Sequence, residues 1–127
     1  MDEMTALFGD PISKYTRAQA IENGVLVDLT HWARETGYVW HIAVTRAVYA
    51  ILEPPAKSMG QDLRGRAHDL LWMLFAAIRG NRTGQSVLTF RVLFAMPRRL
   101  KLGRLKSVCG PDDDGQPCLT VMLPDED

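Results

Sequence analysis

The chain has 127 residues, 46% of them hydrophobic, with 15 basic and 15 acidic residues and no formal net charge at pH 7. That length suits one domain with a real core, and a neutral total argues against whole-molecule attraction to nucleic acid or an anionic membrane. The longest apolar run, "LLWMLFAAI" at 70–78, falls well short of the ~20 residues a bilayer crossing requires. The acidic opening "MDEMTALFGD" has no signal-peptide core, so a cytoplasmic protein with no membrane partner is expected.

Residues 1–13 read as a loosely ordered lead-in, broken by Gly9 and Pro11. Thr16 followed by Gln19 fits a capping box, in which the hydroxyl takes an orphan helix N–H and the amide reaches back. It opens a short helix at 17–22 that turns Ala18 and Ile21 to the core, and Asn23-Gly24 closes it. "VLVDL" at 25–29 has the β-branched content of a brief strand. Asp28 or Thr30 caps a second helix running to Thr36, with Gly37 as its stop. "YVWHIAV" at 38–44 suits either a strand or an extended lead into the next helix. Thr45 caps that helix at 46–53, and Pro54-Pro55 ends it before a linker over 54–61.

The strongest helix is 62–79, where Leu63, Ala67, Leu70, Leu71, Leu74, Ala77 and Ile78 recur at three- and four-residue spacing. Asp62 suits its first turn, Arg79 its last and Gly80 its exit. Trp72, Met73 and Phe75 widen the apolar surface, which predicts cover on more than one side. Past Gly84 the period changes to two: in "SVLTFRVLFAM" at 86–96, Val87, Thr89, Arg91 and Leu93 share one face and Leu88, Phe90, Val92 and Phe94 the other. "KLGRLKSVC" and "CLTVML" follow as strands joined by "GPDDDGQP", with Asp114-Gly115 as the hairpin turn. The fold class expected is α+β in a single domain over 1–127: a mainly helical N-terminal two-thirds packed on a small C-terminal antiparallel β-meander.

Catalytic candidates concentrate in "KYTRAQAIENGVLVDLTHWARETG" at 14–37. Asp28 and His31 are three residues apart, a spacing that lets a helix entry bring carboxylate and imidazole together for acid–base work. Arg17 and Tyr15 would supply an anion-binding arm, and His41 a further group. The competing reading makes Asp28 a cap, His31 a first-turn residue, and Arg34 and Glu35 a solvated face. Two cysteines and three scattered histidines show no zinc spacing, so neither metal nor cofactor is expected. Cys109 and Cys118 flank one turn, and whether they pair depends on register, because a disulfide needs Cα atoms within about 7 Å. "DDDG" lacks the alternating acids of a calcium loop, and no "GK[ST]" or "GxSxG" occurs.

Charge is unevenly placed: residues 70–111 hold eight Lys or Arg and no acid, and residues 112–127 hold six acids and no base. Arg98, Arg99, Lys101, Arg104 and Lys106, extended by Arg91, form a candidate partner-binding strip. Two features weaken a nucleic-acid reading. The neighbouring acids can pair with these bases, and only Phe90 and Phe94 lie near enough in sequence to stack on bases. Trp32, Trp40 and Tyr49 are candidates either for an exposed protein contact or for the core.

The stretches "YTRAQAIENGVLVDLTHWARETG", "VTRAVYAIL" and "VCGPDDDGQPCLTVMLPDED" resemble a family of small bacterial proteins of unknown function encoded on plasmids and phages. The likeness covers nearly the whole chain, with 54–62 and 97–101 as variable connectors, and it brings no catalytic residues. It implies an accessory protein of mobile DNA, of the kind that binds and blocks host proteins, CRISPR and other defence complexes included. The expected function is therefore non-enzymatic binding of a host- or element-encoded protein through Arg98–Lys106 and exposed residues of 31–40. A small enzyme acting on a nucleotide or nucleic acid through Arg17, Asp28 and His31, or nucleic-acid binding by the basic strands, are the alternatives.

Overall fold

In the computed structural model, which describes residues 15–53, 63–81, 83–96 and 99–126, local signals place the helices. The Thr16–Gln19 capping box forms and opens α1 (Arg17–Glu22). Gly37, at φ 104°, closes α2 (Thr30–Thr36), and the Thr45 hydroxyl accepts from Val48 N–H at the start of α3 (Arg46–Leu52). α4 (Leu63–Arg79) buries Ala67, Leu70, Leu71 and Leu74. Pro54-Pro55, the 54–61 linker, Asp62 and the 1–13 lead-in lie outside the described residues. Two packing expectations are corrected: Ala20 rather than Ala18 is buried in α1, and Trp72 and Met73 stand exposed on α4.

The strands are β1 (Leu26–Asp28), β2 (His41–Thr45), β3 (Val87–Met96), β4 (Arg99–Pro111) and β5 (Pro117–Met122). They make one five-stranded sheet in the order β1-β2-β5-β4-β3. β2 runs parallel to β5, and the other neighbours are antiparallel. This overturns the expected division into a helical two-thirds and a C-terminal meander. The first three helices are only six or seven residues long, and the segment between them supplies two strands of a mixed sheet. The reason is physical: Ile42, Ala43 and Val44 are all fully buried, and a short run covered on both faces carries no period to separate strand from helix.

The core lies on one face of the sheet. Ile42 and Val44 stand beside Leu119 and Val121, and Leu105 stands opposite Phe90. α4 packs over β3 and against α2, while α3 packs on β2 and β5. Buried Arg66 locks the layers: its guanidinium donates to Ile51 O at 2.9 Å and lies over the Phe94 ring at 5.6 Å. α1 packs on β1 from the other face, where Arg17 reaches Thr120. Further along that second face, Val87, Thr89, Arg91, Leu93 and Arg104 are exposed.

The register answers the cysteine question. Cys109 stands opposite Leu119 and Cys118 opposite Gly110, so strand alternation sends the two thiols to opposite faces. Both are free.

Candidate functional site

α1, β1, the start of β2 and the β4–β5 turn meet around a shallow cleft of about 190 Å³, lined by Arg17, Ala18, Ile21, Asp28, His41 and Asp112–Asp114. Arg17 and Asp28 do come together there, with His41 as third member. His31 does not join them: it is exposed, with its ring centroid 4.6 Å from that of Trp32. The side chains that meet are already engaged. Asp28 accepts from Thr30 N–H at 3.0 Å and from its hydroxyl, which ties down the first residue of α2. The N-cap itself is Leu29, with no side-chain cap, so the expectation that Asp28 or Thr30 caps this helix is corrected. Arg17 donates to Thr120 Oγ1 at 2.6 Å and Leu119 O at 2.8 Å, a tie that holds α1 to the sheet. Tyr15, just before the first helix, accepts from Asn23 at the helix C-cap at 2.8 Å.

The turn side of the cleft is acidic by construction. Asp112 Oδ1 accepts from Asp114 N–H and Gln116 N–H, each at 2.9 Å. Asp113 accepts from Arg17 N–H at 2.8 Å and Ala18 N–H at 3.0 Å, which satisfies orphan donors of α1. Four carboxylates around one engaged guanidinium give the cleft a negative potential, which opposes direct contact with a phosphate. Among the described residues no group of three or more His, Cys, Asp or Glu side chains is placed to hold a metal ion. Burial raises the Cys118 thiol above its usual range, the opposite of the electropositive setting a nucleophilic cysteine needs.

The basic strip is divided. Arg98 lies outside the described residues, as do the side chains of Arg99 and Lys101, whose backbones belong to β4 opposite Met96 and Phe94. Lys106 is half-buried, and its ammonium donates to the carbonyl of Glu126. The Glu126 carboxylate in turn accepts from Thr45 Oγ1 at 2.8 Å. The tail therefore meets the base through its main chain. Arg104 is exposed and stands directly opposite Arg91 on β3, a like-charge pairing that costs stability in a sheet unless an anion joins it. Of the aromatic candidates, Trp32 and Tyr49 pack against the core and Trp40 is 43% exposed.

A second groove, of about 400 Å³, runs between α4 and β3 and is lined by Asp69, Trp72, Met73, Arg91, Val92 and Leu93. Trp72 is 57% exposed, Leu93 55% and Met73 46%. The indole is steadied from beneath, edge-on to Phe75 at 6.1 Å, and Phe75 sits edge-on to Tyr38 at 5.5 Å. Reading Trp72 and Met73 as covered core missed this site. The signal was in the helical wheel: Trp72 shares a face with Gly65, Asp69 and Ala76, away from the leucine stripe. The open site is thus an apolar groove with two arginines beside it, and the acidic cleft is a structural joint. Comparison of the chain with protein-family models, curated proteins and solved structures finds no match.

Proposed function

We propose that the protein acts by binding another protein, as a non-enzymatic, cytoplasmic accessory of a mobile genetic element. The observation that carries this reading is the groove at the open edge of β3, where Trp72 and Met73 stand exposed on α4 and Leu93 stands exposed on the outer face of the strand. The Arg91–Arg104 cross-strand pair lies on that outer face. Large aromatic, methionine and arginine side chains are the types that enrich protein interfaces, and clustered exposed apolar groups mark contact surfaces. The resemblance to plasmid- and phage-encoded proteins supports the context, and blocking a host defence complex of CRISPR type is one use for such a surface. The small-enzyme alternative rests on Arg17, Asp28 and His31, of which His31 stands apart from the cleft while Arg17 bonds α1 to the sheet and Asp28 bonds the first residue of α2.

Capture from host-cell lysate tests the reading. A specific partner is expected to be held by the wild-type protein and lost from Trp72→Ala/Leu93→Asp and from Arg98→Glu/Arg99→Glu/Arg104→Glu, with circular dichroism unchanged in both. A partner retained equally by the groove variant removes that groove as the contact. If instead the protein shifts DNA or RNA in gels with affinity falling steeply as salt rises, the nucleic-acid alternative takes its place.

A further inference from the structure

β3 has a strand neighbour on one side only among the described residues. Its register with β4 is unbroken from Val87↔Val108 to Met96↔Arg99, so no bulge interrupts its ten residues. Cys109 N–H donates to Ser86 O at 2.7 Å, which sets the phase of the ladder. By antiparallel alternation Leu88, Phe90, Val92 and Phe94 exchange bonds with β4. The backbone N–H and C=O groups of Val87, Thr89, Arg91 and Leu93 then point away from it, along the open edge. A long, regular edge is a template for another strand unless charge, proline or cover protects it. β3 contains no proline and one charged residue, Arg91.

We infer that this edge receives an extended segment of the partner, of alternating apolar and acidic residues, which adds to the sheet beside β3. The inference rests on the protein-binding reading above. Alternation fixes the chemistry of the incoming strand. Side chains on its helix-facing side enter the groove under Trp72 and Met73 and must be apolar. The side chain opposite Arg91 stands on the outer face, where Arg91 and Arg104, direct neighbours across the ladder, call for a carboxylate. A second copy of this chain fits less well. Outward-facing Val87, Thr89, Arg91 and Leu93 would pair with the same set in the partner, bringing two Arg91 side chains together at or near the centre.

Short fluorescein-labelled peptides alternating valine and glutamate provide the probe, with valine–lysine peptides as the control. The intact protein is expected to bind the glutamate set and to hold the lysine set at least roughly tenfold more weakly. Arg91→Glu should reverse that preference. N-methylation of the peptide amides that face β3 should abolish binding while leaving every side chain in place. Absent or equal binding of the two sets, or binding indifferent to N-methylation, overturns the inference. So does a dimer in which the Thr89, Arg91 and Leu93 amides are protected from exchange. Thr89→Pro separates the two levels, because it deletes one outward N–H and spares the β4 ladder. A lysate partner lost from the groove variant but kept by Thr89→Pro sinks strand addition alone, whereas a partner indifferent to every variant sinks the protein-binding reading too.

Discussion

Tyr38 sits where α2 hands the chain to β2, buried against α4, and its hydroxyl donates to Leu71 O at 2.8 Å. That carbonyl lies in mid-helix, so the phenol joins a helix to the lead-in of a strand. Burial raises the phenol above its usual range. The unfolded chain releases this proton near pH ~10 while the folded chain keeps it, so above that pH the folded state binds more protons and stability falls as pH rises. Tyr38→Phe is expected to cost about 1 kcal/mol at neutral pH. Its melting temperature should also fall less steeply than that of the wild type above pH ~10. Parallel curves would assign the alkaline loss to other groups. Glu35 shows a purely surface effect: its carboxylate accepts from Arg64 at 2.8 Å and lies 3.0 Å from the His68 ring. The Arg64 bond comes first among the causes that hold its pKa below the usual range. A pair this open to water adds little to stability.

Element by element, what could be read in advance was what is decided locally. Thr16, Thr45 and Gly37 each start or stop a helix with their own side chain or backbone freedom, and each does so here. The alternation in 86–96 sorted the side chains of β3 correctly into two faces, and the structure buries Phe90, Val92 and Phe94 and opens Val87, Thr89, Arg91 and Leu93. "HIAVT" had no such asymmetry to show. The site followed the same rule: Asp28 and Arg17 met because β1 follows α1 closely, whereas His41 replaced His31 through a parallel pairing with Cys118 that no local pattern encodes. β4 adds a contact of its own at Gly103, opposite Val92. A Cβ there would stand 3.0 Å from Phe94 Cε2. Phe94 is fully buried, with Arg66 stacked over its ring, so the ring has no room to withdraw. Gly103→Ala is expected to destabilise by about 1–3 kcal/mol in urea unfolding. A neutral result would mean that Phe94 does have another rotamer.

At the scale of the whole molecule, β5 decides whether there is one cooperative unit. It pairs with β2 on one side and β4 on the other, so it is the seam between β1–β2 and β3–β4. Leu119 lies in that seam, buried and in the core cluster. Leu119→Ala should cost about 2–5 kcal/mol and lower the urea midpoint equally by tryptophan fluorescence and by far-UV circular dichroism. Two separated midpoints would show that β3, β4 and α4 hold together without the rest. This seam was the least legible part of the fold, since residues 41–45 and 117–122 are distant in sequence and neither names the other. It also puts a timetable on the making of the protein. β2 ends at Thr45 and β5 begins at Pro117, 72 positions later. At ribosomal speed that interval lasts roughly 4–14 s. Throughout it the edge of β2 that carries the outward main-chain groups of His41, Ala43 and Thr45 has no strand of its own chain to meet, because Ile42 and Val44 bond on the β1 side. The growing polypeptide is therefore most vulnerable to misassembly before its central strand exists.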